Sequence, residues 1–420
     1  MDKIKRLIFS GTAKNTSALF AGNMGGAVLA VLFTLLVARR LGPEEWGVVA
    51  AVISLITIAE ALGDFGLASS LYRFFAKSLT EQKHQEAEDF RHLAFFFRIL
   101  TAGLVFLILV IFSGSISSLV FKTDDSFLTF VSGLGIFSYL MLDFQVASLQ
   151  TRGKWGLSAF FIAFVNLIRL VGVYLLFAQG KLNLHNTLWM YSGTPLATLL
   201  LTFFWQPTRL AFVKHWTGAK NLLFFSGWLG LNRIAAAIAS RIDVILLLDI
   251  SGAYQTGLFG ASKQLAVGVP MLVGSLATVL APRFATLEER ALSRYFKKSI
   301  ALSVFLAFGL LSGILISPLV ISLFGDEYEE SRGILQWLLV GYIPFVISMP
   351  AVNLLIYALH KPKIIGILSL LQIPLVWWLN VYLIPLYGVW GAVAVHIVWN
   401  LSTLLVAYAF VGYYLGKKNK

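Results

Sequence analysis

Twelve apolar runs, each long enough to cross a bilayer, follow one another along this 420-residue chain with only short polar joints between them. A spanning helix needs about 20 apolar residues. The runs read as 16–37, 47–69, 93–121, 127–150, 157–178, 186–204, 222–248, 257–281, 299–325, 332–357, 363–384 and 389–413. Those at 93–121 and 299–325 are long enough to tilt. Hydrophobic residues make up 58% of the chain and charged residues 13%, about half the charge of a soluble domain. Lipid must therefore be the solvent for most of it, and in lipid every backbone polar group has to be satisfied internally. Run length selects helices. The expected fold is an all-α membrane protein of about twelve transmembrane helices. No long hydrophilic segment is left over for an extramembrane domain. The first run lacks a small-residue cleavage site and is followed by eleven others, so it reads as a span and not as a removable signal.

The net charge of +13 would suit nucleic acid, but its placement points to lipid headgroups and excludes a nucleic-acid partner. With the N-terminus placed in the cytoplasm, 23 Lys and Arg fall in inward joints and tails and 5 (Arg39, Arg40, Lys122, Lys181, Arg332) in outward ones. The inward set begins with Lys3, Lys5, Arg6 and Lys14 and includes Arg73, Lys77, Arg152, Lys154, Arg209, Lys214, Lys220, Arg283, Arg290, Lys361 and Lys363. This is the positive-inside asymmetry, and anionic headgroups at the cytoplasmic face explain the excess. Both termini are then cytoplasmic, which requires an even number of spans and agrees with twelve. The expected location is the inner (cytoplasmic) membrane.

An internal repeat organises the runs into two six-helix halves, 1–210 and 211–420. Shifting the first half by 210 places Gly42 on Gly252, Gly47 on Gly257, Ala51 on Ala261, Leu55 on Leu265, Leu62 on Leu272, Arg73-Phe74 on Arg283-Phe284 and Gly156 on Gly366 without a gap. Six is even, so both halves enter from the same side and the repeats are parallel. Transporters built this way hold substrate between the halves and expose it alternately. A central cleft between the halves is the expected site.

Of 33 Lys and Arg, 28 lie in joints and tails, leaving Arg98, Arg169, Arg233, Arg241 and Lys263 inside the runs. A charge at a helix centre costs about 2.5–3.5 kcal/mol. Arg169 and Arg233 lie some eleven or twelve residues into their runs, about 16–18 Å deep at 1.5 Å per residue. Snorkelling does not reach water from there, so each should face a wet cavity or a partner. Arg98 and Lys263 sit about six residues in, where snorkelling reaches the interface. Arg241 lies about seven residues from the outer end of its run. Asp243 cannot be its helical partner, because residues two apart point away from each other. The intramembrane acids are Glu60 and Asp64, which share a helix face, Asp143, and Asp243. They either neutralise the cations or carry a coupling proton or sodium ion. Asn166 shares a face with Arg169, and His396 with Asn400.

The stretch Ala38-Arg39-Arg40-Leu41-Gly42-Pro43-Glu44-Glu45-Trp46-Gly47 after the first run resembles the Leu-Gly-Pro-x-x-aromatic-Gly joint of polysaccharide-biosynthesis flippases, within the multidrug/oligosaccharidyl-lipid/polysaccharide exporter superfamily. Arg241-Ile242-Asp243-Val244-Ile245-Leu246-Leu247, running on through Gly252 to Gly257, is similar to the Arg-x-Asp-x-x-Leu run of the same family, and Pro282 fits as well. The resemblance implies an O-antigen-type flippase in lipopolysaccharide assembly, moving undecaprenyl-pyrophosphate-linked oligosaccharide to the outer leaflet, with membrane lipids and glycan polymerase machinery as further partners. Peptidoglycan-precursor relatives carry two further helices, which are not found here. On this resemblance Arg169, Arg233, Arg241, Arg98 and Lys263 become cavity cations for a pyrophosphate, whose oxygens the planar guanidinium fork pairs bidentately. In its own physics the Gly42-Pro43 joint is a tight helical hairpin, since proline cannot continue a helix.

No nucleotide-binding loop of the Gly-x-x-x-x-Gly-Lys-Ser/Thr kind appears, so energy would come from a gradient or from product withdrawal. No metal-ligand spacing is present, cysteine is absent altogether, and neither a cofactor nor a catalytic residue is expected. A cation-coupled multidrug or metabolite antiporter of the same superfamily is the second reading. A membrane glycan polymerase or glycosyltransferase would carry a large charged outward loop. The longest here, from Phe324 through Gly325-Asp326-Glu327, is short enough to be a solvated cap.

Overall fold

The computed structural model describes residues 11–207, 217–287 and 289–418, and among them there is helix and no strand. Lys3, Lys5, Arg6, Arg209 and Lys214 lie outside the described residues, as do the side chains of Lys220, Pro282, Arg283 and Arg290. Twelve long helices follow in order: α1 Gly11–Asp64, α2 Leu67–Thr80, α3 His84–Ile111, α4 Ser126–Thr151, α5 Trp155–Ala178, α6 Leu184–Trp205, α7 Thr217–Ala266, α8 Gly268–Thr286, α9 Glu289–Ser322, α10 Ser331–Asn353, α11 Pro362–Tyr387 and α12 Val389–Lys418.

These helices do not map one to one onto the apolar runs. α1 carries the first run and most of the second, which ends in α2, and bends at Gly42 (φ 77°, ψ 172°), and α7 carries the seventh and enters the eighth, bending at Gly252 (φ 84°, ψ 175°). That backbone region is essentially reserved for glycine. Pro43, with no N–H to leave unpaired, opens the second arm of α1. Near these bends backbones touch. An added Cβ on Gly47 would run into the carbonyl oxygen of Ala253, and one on Gly257 into that of Pro43.

Among the described residues eight stretches are long and apolar enough to cross a membrane, the first of them holding most of two runs in 46 residues. α6 covers the 186–204 run but is less apolar. Its buried positions include Thr187, Ser192, Thr194, Thr198 and Thr202. Several hydroxyls are satisfied within the helix, Thr194 donating to the Met190 carbonyl at 2.8 Å and Thr198 to that of Thr194 at 2.9 Å. Such small side chains let helices approach closely.

Contacts group the chain into two compact units, Met1–Leu41 with Ala51–Arg241, and Gly42–Ala50 with Ile242–Lys420. In the first, α4 is the central helix, packed on α2, α3, α5 and α6. In the second, α10 packs on α8, α9 and α12. Their central windows are 67% and 61% buried, against 17–28% for the other spanning stretches. The outer helices turn apolar stripes outward. Leu100, Leu104, Leu107 and Ile111 on α3 and Phe305, Phe308, Leu315 and Leu319 on α9 are all exposed. Such stripes are stable only against lipid tails. The protein is a multi-span membrane protein.

Candidate functional site

The helix breaks between α1 and α2. Phe65 (φ 41°) and Gly66 (φ 76°) both take left-handed backbone, at a cost of roughly 1–2 kcal/mol for a residue with a Cβ. The break frees the first amides of α2, and the Asp64 carboxylate takes them, accepting from Gly66 N at 3.2 Å and Ala68 N at 3.3 Å. A negative charge is favourable there. Two guanidiniums complete its shell: Arg98 of α3 donates through Nη2, and Arg233 of α7 donates through Nη1 at 2.7 Å. Asp64 and Arg98 are wholly buried.

The other arm of Arg233 is held loosely. Its Nη2 lies 3.4 Å from Asp143 and 3.8 Å from Glu60. Arg233 is 42% exposed and Asp143 40%, so this end of the cluster opens outward while Asp64 closes the other. Glu60 and Asp64 do share a face, as their spacing requires, and both point at Arg233. Three carboxylates thus surround two guanidiniums.

Arg169 on α5 has a different setting. It is buried, 4% exposed, and its hydrogen bonds go to neutral groups: Nη1 donates to Asn166 Oδ1 at 3.1 Å, and Nη2 to the Tyr139 hydroxyl. The guanidinium lies 4.1 Å from the Tyr191 ring centre, 5.6 Å from Phe33 and 5.8 Å from Tyr139. A desolvated cation over a ring gains about 2 kcal/mol or more, which offsets much of the cost of carrying the charge at depth. Its Nε has no partner, and among the described residues no carboxylate pairs with it.

In the second unit Lys263 pairs with Asp243, Nζ to Oδ1 at 2.6 Å and also to Oδ2. The two stand on opposite arms of α7, and the bend at Gly252 brings them together. Phe259 lies 5.2 Å beneath the ammonium. His396 meets Asn400 at 3.2 Å and the Tyr342 ring at 4.5 Å. Arg241 is partly exposed, with no ion pair among the described residues.

Of the five cations that lie in apolar runs of the sequence, then, Arg98, Arg233 and Lys263 are ion-paired, while Arg169 and Arg241 have no ion pair among the described residues. Arg98 and Lys263 do not snorkel: each is buried against a carboxylate, Asp64 and Asp243 respectively. The break at Phe65-Gly66 and the rings of Phe33, Tyr139 and Tyr191 escape the sequence reading. The Gly63-Asp64-Phe65-Gly66 stretch carries a turn signal inside an apolar run. The rings carry none in a chain that is 14% aromatic.

A search of curated protein sequences gives no match. Among solved structures the chain is similar to a multidrug resistance MATE family transporter of the MOP superfamily in an inward-facing conformation (TM-score 0.76, 13% identity, 93% of this chain and 95% of that one). It is also similar to the lipid II flippase MurJ in an inward closed conformation (0.73, 14%, 94% and 87%). A third is a MOP superfamily transporter from Pyrococcus furiosus, described as having a binding pocket of reversed polarity (0.69, 13%, 99% and 98%). At these identities the likeness is one of fold. The sequence profile of the polysaccharide biosynthesis protein family matches residues 12–288. With about two-thirds of the chain so matched, this protein belongs to the polysaccharide biosynthesis protein family.

Proposed function

We propose that the protein is a flippase that carries a polyprenyl-pyrophosphate-linked oligosaccharide from the cytoplasmic to the outer leaflet of the inner membrane by alternating access. The observation that carries this reading is Arg169, a buried guanidinium on a spanning helix with three aromatic neighbours and no carboxylate partner among the described residues. Ring faces and a planar cation suit a ligand that is both saccharide and anion. Family membership supports a glycan cargo, and the fold shared with a lipid II flippase supports one attached to lipid.

In this reading the two halves, 1–210 and 211–420, are parallel repeats with both termini in the cytoplasm. The equal backbone geometry at Gly42 and Gly252 supports the duplication. So do the close approaches at Gly47 and Gly257, because a shift of 210 turns the contact of Gly47 with Ala253 into that of Gly257 with Pro43. Glycan polymerase machinery would consume the product outside.

The test is R169A in a strain lacking the native gene. Lipid-linked saccharide should pile up on the cytoplasmic leaflet, and surface glycan should fall to the deletion level with the protein still in the membrane. Normal surface glycan in R169A would sink the reading. A second reading, a cation-coupled multidrug or metabolite antiporter, is favoured by the excess of carboxylates around Arg98 and Arg233 and by the likeness in fold to MATE transporters. It predicts export of ethidium from cells with no effect on glycan.

A further inference from the structure

We infer that the Lys263 ammonium is a tethered counter-cation. It fills, from within the chain, a monovalent-cation site that Asp243 would otherwise offer to solution, so this acid carries no coupling ion. The inference goes beyond the choice of cargo and holds for either of the two readings above.

Asp243 is closed off from solution. Its side chain is 7% exposed, as is that of Lys263. Oδ1 accepts from Val244 N at 2.9 Å, and both carboxylate oxygens meet Lys263 Nζ. A carboxylate buried to this extent without a counter-charge is costly, and one positive charge cancels it. An ammonium is a compact point charge. Here it sits where a small cation held by the same two oxygens would sit, with the Phe259 ring 5.2 Å away. A second cation would leave the buried pair with a net charge, so none is drawn in while the ammonium is present.

The tether itself is pinned. The hydroxyl of Ser262, next to Lys263, lies 2.9 Å from the Leu258 carbonyl and 3.1 Å from that of Ser331. The Ser331 hydroxyl donates to the same Leu258 carbonyl at 3.1 Å. These bonds fasten the second arm of α7 to the start of α10. Asp243, Lys263 and Ser331 all belong to one compact unit, so the pair is a property of that unit alone. The acids beside Arg233 in the first unit are set differently. Glu60 is 21% exposed and Asp143 40%, and each meets Arg233 only at 3.4 Å or more. Those carboxylates are open to solution, whereas Asp243 already has its cation.

The test follows thermal melting of the full-length protein in detergent at pH 8, where His396, a titratable neighbour of the ammonium on α12, is neutral. The chloride salts of Na+, n-propylammonium and choline are compared at about 0.3 M, so that screening is equal in all three. n-Propylammonium is the fragment of Lys263 that K263A removes. K263A should melt below wild type in choline and gain about 5 °C or more with Na+ or n-propylammonium, because a ligand that binds only the folded state stabilises it. D243N/K263A has no charge to cancel and should gain nothing from either. Wild type should respond to Na+ no more than the neutral pair D243N/K263M does. A K263A melt indifferent to both cations, or an equal gain in D243N/K263A, overturns the inference. So does a wild-type gain with Na+ that D243N/K263M lacks, since that would place a solution ion on Asp243 in the native protein. This last comparison decides the matter even if K263A does not fold. A gain with n-propylammonium alone marks a site shaped for an ammonium, and a gain with Na+ one open to small inorganic cations; both uphold the tether.

Discussion

Arg169 and Lys263 solve the same problem in opposite ways. Both are cations inside the apolar part of the chain. Lys263 is cancelled by Asp243, whereas Arg169 is cushioned by rings and pairs with no carboxylate among the described residues. Cancellation ties the two partners' fates. D243A should lower stability by about 3–5 kcal/mol, because it strands a buried ammonium, and D243A/K263M should recover most of that loss. Denaturation in detergent checks both. Ring stacking depends on shape as well as on charge, so R169K should impair transport nearly as much as R169A, as ammonium lacks the planar fork. The shared face of Glu60 and Asp64 is legible from their spacing alone. The partners are not. Arg233 reaches Asp64 across 169 residues and Arg98 reaches it across 34. No local periodicity records which helices will be neighbours, so the difference between a cancelled and an uncancelled arginine appears only in three dimensions.

At the scale of elements, what matters is where helices are allowed to break. Gly42 and Gly252 bend α1 and α7 with nearly equal backbone angles, in a region that costs other residues about 1–3 kcal/mol. G42A and G252A should therefore each lower the melting temperature by several degrees and by similar amounts, and a much smaller effect at Gly252 would count against their equivalence. Gly42-Pro43 announces its bend in sequence, and Gly252 is found by the 210-residue shift. The break at Phe65-Gly66 is hidden, because Phe65 is a residue that resists left-handed backbone. It persists because Asp64 collects two amides and two guanidiniums there. α6 shows a different limit. Its buried hydroxyls lower its hydropathy, but its length and the joints around it still mark the span.

At the scale of the molecule the chain is a natural cysteine-free background, so single cysteines report topology cleanly. Under the proposed orientation K181C should react with an impermeant maleimide added to intact cells, and K361C only after the membrane is opened. The reverse pattern would invert the protein. The 210-residue shift also pairs Phe33 with position 243. One repeat places there a ring against Arg169, and the other a carboxylate against Lys263. If the repeats descend from one ancestor, this position has diverged into a receptor in one copy and a brace in the other, and each copy illustrates the alternative history of its twin. F33D would rewrite the first copy in the style of the second. It should firm up the fold around Arg169 while silencing the guanidinium toward any outside anion, so that the protein gains stability and loses its trade.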